Sequence, residues 1–150
     1  MSTETINICI PVYNEARNLE NLYKDLNEFI SSRSKKYDIN FDIIFFDDGS
    51  SDDSRKVIES FKNVKLIFTD ENKGLGNAIK ELMFYTKSSE AIGMFKIDGD
   101  GQMNINDMEV FLEDNRHRKF DVIYGNRFHK NSNYNMPLLR RFGSTFFKLL

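Results

Sequence analysis

The chain has 150 residues, of which 40% are hydrophobic and 13% aromatic. This length and composition suit one globular domain with a buried core and exclude a disordered protein. The net charge is -2, and no known nucleic-acid-binding motif accompanies the basic residues near the end of the chain, which argues against a nucleic-acid partner. A single cysteine, Cys9, excludes an intramolecular disulfide.

Charge is unevenly distributed along the chain. Residues 116–150 hold eight Lys/Arg against the single acid Asp121. This bias suggests an anionic partner, either phosphate groups or a membrane surface, although a solvated basic face has the same composition. No basic start precedes a long apolar stretch, and eighteen apolar residues never run together. We therefore expect neither a secretory signal nor a membrane span.

Two hydrophobic periods alternate in chain order. Short runs rich in β-branched and aromatic residues predict five strands, at 6–12, 41–47, 64–68, 91–98 and 121–125. Between them, apolar residues at helical spacing predict four helices with core-facing stripes: Leu19, Leu22, Leu26, Phe29 and Ile30; Val57, Ile58 and Phe61; Leu75, Ala78, Ile79, Leu82 and Met83; Met108, Phe111 and Leu112. This alternation predicts an α/β fold, a mostly parallel sheet with helices on both faces.

Polar residues follow each predicted strand. The segments are "PVYNE" (11–15), "DDGSSDDS" (47–54), "TDENKGLGNA" (69–78), "DGDGQ" (98–102) and "GNRF" (125–128). In an open parallel sheet, ligands bind at the carboxyl ends of the strands. We therefore expect acids, small residues and one arginine to converge on a single edge.

The segment "KIDGDGQMNIND" (96–107) has two interpretations besides that of a ligand-binding loop at the edge of the sheet. As a calcium-binding EF-hand loop it places Asp98, Asp100, Gln102 and Asp107 at ligand positions, but Lys96 stands where the leading carboxylate is needed. An apolar strand pattern precedes it, where an EF-hand needs a helix. A haloacid-dehalogenase-type phosphatase uses the first Asp of "DxDG" as a nucleophile, but after its first strand. Both are therefore disfavoured, and a solvated Asp-Gly turn is the remaining simple alternative.

Taken together, these ordered motifs resemble the nucleotide-sugar-dependent glycosyltransferases of family 2, from Ile6 to about Leu150. The likeness is greatest to the polyprenyl-phosphate (dolichyl-phosphate mannose synthase-like) branch, towards which "GNRF" and "RRFGSTFFKLL" (140–150) point. The resemblance implies the GT-A fold, a Rossmann-like domain for nucleotide-diphosphate sugars. It also implies a donor of that class and a Mg²⁺ or Mn²⁺ cofactor.

Roles for individual residues follow from the resemblance. It implies a nucleotide-sugar pocket, in which Asp48 contacts the base, and a metal site. Asp98 belongs to both, because it faces the ribose and also binds the metal. The implied catalytic residues are Asp100 and Arg127, and the guanidinium of Arg127 can bind two phosphate oxygens at once. Arg140 and Arg141 begin an amphipathic stretch that either contacts a membrane interface or packs against further protein. The pocket residues are Pro11, Tyr13, Glu15, Asp48, Gly74 and Asp98, and the metal ligands Asp98, Asp100 and Gln102.

Several positions in these loops also have a purely structural interpretation. Ser51 or Asp52 caps the helix that follows them, and Glu15 is a favourable charge in the first turn of its own helix. The segment "GLGNA" is either a phosphate-binding loop or a flexible one.

The implied reaction is an inverting displacement at the anomeric carbon of the sugar. A lipid-phosphate acceptor is already ionised and needs no strong general base, which agrees with the lack of an "ED" or "QxxRW" motif after Arg127. The expected location is the cytoplasmic face of a membrane, with peripheral contact. Residues 1–150 are expected to form the N-terminal part of the catalytic domain, with the acceptor part missing. The alternatives are a nucleotide-sugar-binding module without transfer and a transferase acting on a saccharide hydroxyl.

Overall fold

A computed structural model describes residues 4–113 and 121–123. The chain divides into two units, Met1–Lys119 and Phe120–Leu150. The elements below belong to the first unit. Its strands are β1 (Glu4–Val12), β2 (Ile39–Asp48), β3 (Val64–Thr69) and β4 (Gly93–Lys96), and its helices are α1 (Ala16–Tyr37), α2 (Ser54–Glu59), α3 (Leu75–Ser88) and α4 (Met108–Leu112), the last preceded by a 3-10 turn (Ile105–Asp107).

The described strands form one parallel sheet in the order β3-β2-β1-β4. In register, Ile6 of β1 faces Phe41 of β2 on one side and Gly93 of β4 on the other. All four carboxyl ends therefore lie along one edge. The chain moves away from β1 through β2 and β3 and returns on its other side as β4, which puts a topological switch point between β1 and β4.

The two faces of the sheet carry separate cores. Ile6, Ile8 and Ile10 of β1 join the larger core, which also contains apolar residues of α1 and α4. Cys9 points the other way, with Ala78 and Leu82 of α3 in the second core. Successive strand side chains alternate between faces, so a run without polar alternation suits a strand covered on both sides. The predicted fold class, a parallel α/β sheet with helices on both faces, is confirmed.

The cysteine is structural. Cys9 is fully buried, and burial raises the pKa of its thiol to about 11, opposed by a hydrogen bond with the Thr86 hydroxyl. The thiol therefore stays protonated and unreactive at neutral pH. The amide of Asn7 supports the same face by donating to Thr86 Oγ1 at 3.1 Å.

Parts of two predicted helical stripes differ from the structure. Helix α2 ends at Glu59, so Phe61 lies beyond it, where its ring stacks on Tyr23 with the centroids 4.1 Å apart. Leu75 and Met83 of α3 are 54% and 57% exposed, so the prediction that both belong to the core was wrong. α3 covers the sheet with a narrow stripe that contains Ala78, Leu82 and Thr86, which leaves its flanks in solvent.

Two predicted strands also differ from the structure. The strand predicted at 91–98 is limited to Gly93–Lys96. In the segment predicted as a strand at 121–125, residues 121–123 are not in a strand. Residues 124–125 lie outside the described residues. The prediction that residues 1–150 form a single domain stays a prediction.

Candidate active site

The loops after β1 and β2 are joined through Asn14. Its side-chain oxygen accepts hydrogen bonds from the backbone amides of Ser51 at 2.8 Å and Asp52 at 3.2 Å. The backbone amide of Asn14 donates to Ser50 Oγ at 3.0 Å. Asn14 has a positive φ of 58°, a conformation that asparagine tolerates better than most residues. One residue thus positions the "PVYNE" loop against the "DDGSSDDS" loop.

A second set of contacts fixes the start of α1. Asp52 Oδ2 accepts from the Ala16 amide at 3.1 Å, while Ser54 Oγ accepts from the Glu15 amide at 2.9 Å. Burial raises the pKa of Asp52, but hydrogen bonds from Ser54 and Ala16 outweigh it, so the pKa lies below its ordinary value. The N-cap residue of α2 is Asp53, so the prediction that Ser51 or Asp52 caps this helix was wrong. Asp52 instead accepts hydrogen bonds from the backbone amides of Ala16, at the start of α1, and of Ser54.

Asp47 is buried in a structural network. Its Oδ1 accepts from the Ser50 amide at 3.1 Å, and its Oδ2 accepts from Arg55 Nε at 2.8 Å. Arg55 in turn donates to the carbonyl of Thr69 at 2.8 Å and lies over the Phe68 ring at 4.2 Å. Asp47 and Arg55 therefore tie the ends of β2 and β3 together. Sequence reasoning did not single out Arg55, because a charged residue in a helical pattern carries no sign of its partner.

Asp48 holds the loop before α3. It is 3% exposed, and its carboxylate accepts from the amides of Lys73 at 3.0 Å and Gly74 at 2.7 Å. Gly49 has a φ of +70°, and a Cβ there would lie 2.6 Å from the carbonyl carbon of Glu71. Only glycine permits this approach. The amide of Gly74 is thus already bonded within the protein.

The "DGDGQ" turn packs against the end of β1. A Cβ at Gly99 would lie 3.2 Å from the carbonyl oxygen of Pro11 and 3.7 Å from Cγ of Glu15. The carboxylate of Glu15 accepts a hydrogen bond from the side-chain amide of Asn18 at 2.6 Å. The side chain of Tyr13, two residues earlier, is 47% exposed. Two segments that are far apart in sequence therefore meet at the switch point between β1 and β4.

The carboxylates of the turn are partly exposed. Asp98 Oδ1 pairs with the ammonium of Lys96, and Asp100 Oδ1 accepts from the Gln102 amide at 3.0 Å. Gly101 supports the turn with a φ of +68°. Gln102 is exposed, and the contacts described for it come from its backbone.

This geometry disagrees with an EF-hand. Strand β4 leads into the loop, and Lys96 is ion-paired to Asp98 where the first carboxylate ligand is needed. Among the described residues, no group of three or more His, Cys, Asp or Glu side chains could enclose a metal ion. Asp98 and Asp100 each use only Oδ1 in described hydrogen bonds. Such a pair of hard oxygen donors fits an open Mg²⁺ or Mn²⁺ site that substrate phosphates complete.

A cavity of about 120 Å³ opens beside this turn, between it and α1. Asp100 and Gly101 form one wall, and Asn18, Asn21 and Asp25 of α1 form part of the other. The polar groups of α1 were not predicted as site residues, since on a helix they have the pattern of an ordinary solvated face.

A charged cluster fixes the segment after the turn. Glu109 of α4 accepts hydrogen bonds from Lys36 at 2.5 Å, Arg33 at 2.7 Å and the Tyr37 hydroxyl at 2.9 Å. These bonds, in the order Lys36, Arg33 and Tyr37, lower the pKa of Glu109 to about 2. The cluster fastens α4 to the end of α1. It therefore supports the "DGDGQ" turn from its carboxyl side.

The structure thus places Gly99, in the turn that carries Asp98, Asp100 and Gln102, against Pro11 and Glu15 at the end of β1. Asp48 and Gly74 are bonded to each other at the end of β2. Arg127, Arg140 and Arg141 lie outside the described residues.

The comparison with known families agrees with this arrangement. The model of glycosyl transferase family 2 matches residues 7–148. The chain belongs to this family. Its match includes all five loop motifs, and the resemblance predicted from them is confirmed.

Similar proteins include two named sugar transferases. A dolichyl-phosphate beta-glucosyltransferase from Dictyostelium discoideum is 27% identical across 83% of this chain and 40% of its own length. Glycosyltransferase GlyG from Streptococcus pneumoniae serotype 4 is 28% identical across 83% of this chain and 39% of its own length. An uncharacterized protein from Methanocaldococcus jannaschii is 29% identical across 94% and 58%. The chain therefore spans less than two thirds of each of these relatives.

Proposed function

We propose that this protein is an inverting glycosyltransferase that moves a sugar from a nucleotide-diphosphate sugar to a polyprenyl phosphate. The observation that carries the proposal is the contact of the "DGDGQ" turn with the Pro11–Glu15 loop at the switch point of the sheet. Ligands of open α/β sheets bind at this place. The similarity to a dolichyl-phosphate beta-glucosyltransferase supports the acceptor class.

The donor binds across the carboxyl ends of the strands. Pro11 and Glu15 lie beside Gly99, in the turn that carries Asp98 and Asp100, so a nucleoside on the first loop has its diphosphate at the carboxylates. Asp48 sits at the neighbouring strand end and is the base contact, which it combines with its hold on the Lys73 and Gly74 amides.

Asp98, Asp100 and Gln102 would hold Mg²⁺ or Mn²⁺. The ion supplies neutralisation of the charge that builds on the departing diphosphate. Arg127 adds a second cation for the same oxygens or for the acceptor phosphate. Without such cations, the two carboxylates would repel the donor.

The acceptor phosphate attacks the anomeric carbon directly. A phosphate is ionised at neutral pH, so the described carboxylates need not act as general bases. Arg140 and Arg141 provide positive charge for an anionic membrane surface at its cytoplasmic face. No helix in the described part of the chain is long and apolar enough to cross a membrane.

The test is incubation of the protein with labelled nucleotide-sugars and Mn²⁺, with and without polyprenyl phosphate. We expect labelled lipid only when polyprenyl phosphate is present. Tight nucleotide-sugar binding without transfer to any acceptor would instead support a binding module, and transfer to a saccharide hydroxyl would support the other acceptor class. If the protein bound none of the nucleotide-sugars, the proposal would be contradicted.

A further inference from the structure

Lys96 is the last residue of β4 and lies two positions before Asp98. In extended backbone, residues two apart share one face of the sheet. Phe95 and Ile97 face the larger core, which leaves Lys96 on the opposite face. Its ammonium forms an ion pair with Oδ1 of Asp98.

Lys96 is less exposed than the lysines of the other ion pairs in the described part of the chain. The side chain of Lys96 is 31% exposed and that of Asp98 28%. In the other described lysine pairs, the exposed fractions of Lys36, Lys56 and Lys24 are 55%, 81% and 74%. Lys96 therefore has an ordered place at the carboxylate, unlike a freely solvated surface cation.

The position of Lys96 conflicts with that of a bound divalent cation. Two cations that share one carboxylate repel each other, and at about 4 Å this repulsion is substantial in a partly shielded site. A cation that enters alone must either displace the ammonium from Oδ1 of Asp98 or bind the other oxygen of that carboxylate against the repulsion of the ammonium. When a cation enters together with a diphosphate, the negative charge of the diphosphate stabilises both the metal ion and the ammonium of Lys96.

We propose that Lys96 is the resident cation of the "DGDGQ" turn, and that it keeps divalent metal off Asp98 until the donor diphosphate arrives. The inference rests on the proposed function, because it assumes that Asp98 and Asp100 hold the metal of a sugar transferase. It adds a residue that controls when this metal binds. Lys96 thus strengthens the dependence of metal binding on nucleotide.

Calorimetry of Mn²⁺ binding tests the proposal on the parent protein and three variants, each with and without UDP or GDP. Lys96→Met removes the ammonium but keeps much of the apolar stem. Lys96→Arg keeps a cation. Lys65→Met removes the same charge from an exposed position on β3, at the other edge of the described sheet, and so controls for net charge.

Without nucleotide, we expect Lys96→Met to bind Mn²⁺ roughly fivefold more tightly than the parent, the factor that corresponds to an ion pair of about 1 kcal/mol. With nucleoside diphosphate, the gain should be smaller, so the coupling factor between metal and nucleotide falls by linkage. Lys96→Arg and Lys65→Met should resemble the parent. Circular dichroism confirms that each variant is folded.

The outcomes separate the two proposals. Nucleotide-coupled Mn²⁺ binding that is the same in the parent and in Lys96→Met would overturn the role of Lys96 and leave the transferase proposal standing. A gain of equal size in Lys65→Met would also overturn it, since net charge alone would then explain the change. Absence of Mn²⁺ binding in every protein, with either nucleotide, would contradict both proposals. If Lys96→Met does not fold, Lys96→Gln provides the same comparison.

Discussion

The acids at the end of β2 and the acids after β4 have the same residue type and lie along the same edge of the sheet, but their surroundings differ. Asp47 and Asp48 are 0% and 3% exposed, and both oxygens of each accept hydrogen bonds. Asp98 and Asp100 are partly exposed and use one oxygen each in described bonds. Both oxygens of the first pair are used in holding the loops together, whereas one oxygen of each acid in the second pair has no hydrogen bond among the described residues.

Asp47→Ala should produce the largest effect, because it leaves the Arg55 guanidinium without its buried partner. Breaking such a pair costs about 3 kcal/mol of unfolding free energy. Urea unfolding measures this loss. Asp70 offers a matched control, since it lies 3.7 Å from the same guanidinium but is 90% exposed; Asp70→Ala should change stability by less than about 0.5 kcal/mol. Equal losses in the two variants would show that burial does not distinguish these acids.

Asp100→Asn should affect ligand binding with little effect on stability. An amide is neutral and cannot offset diphosphate charge through a metal ion, so we expect the Mn²⁺-dependent part of nucleoside diphosphate affinity to fall by about tenfold, or 1.4 kcal/mol. A nucleoside without phosphates should bind as before. Calorimetry with and without Mn²⁺ measures both. If the affinity for nucleoside diphosphate changed neither with Mn²⁺ nor with the substitution, the phosphates would not bind at Asp100.

Asp48→Asn should show a mixed effect, because Asp48 has both a structural and a proposed binding role. It weakens the charge-assisted hydrogen bonds to the Lys73 and Gly74 amides, at a cost of about 1 kcal/mol. Hydrogen exchange at these two amides should accelerate, and nucleoside affinity should fall. Unchanged exchange would mean that another contact holds the loop, and unchanged affinity would remove Asp48 from the nucleoside pocket.

Glu109→Gln should produce the smallest change, and one that depends on pH. The pKa of Glu109 in the folded protein is lowered from 4.5 to about 2, so its stabilising contribution is complete above about pH 4.5 and is lost as pH falls towards 2. The difference in melting temperature between parent and variant should therefore be largest near neutral pH and shrink below pH 4.5. A difference that stayed constant down to pH 2 would show that lost packing, and not charge, destabilises the variant.

Local sequence was enough to predict much of the fold. Runs such as "INICIPV" and "FDIIFFD" are largely apolar, which predicts strands covered on both faces. The four described strands and the helices between them overlap the segments predicted for them. Turn chemistry also predicted the acidic loops, because Asp, Gly and Ser favour turns wherever a strand ends. Exposure was harder to predict: Leu75 and Met83 fit the apolar pattern of the helix but are 54% and 57% exposed.

Sequence alone determined that carboxylates lie at the end of β2 and after β4, since this depends only on the order of residues along the chain. Only the tertiary structure decided what each carboxylate contacts. The return of β4 to the side of β1 brings Gly99 against Pro11, and strand pairing between distant segments leaves no local trace. Asp47 and Asp48 are neighbours whose side chains point to opposite faces, so one meets Arg55 and the other meets the loop before α3. Likewise, the pairing of Lys96 with Asp98 requires the strand to end where it does, because electrostatic contacts depend on distance in space and not on separation in sequence.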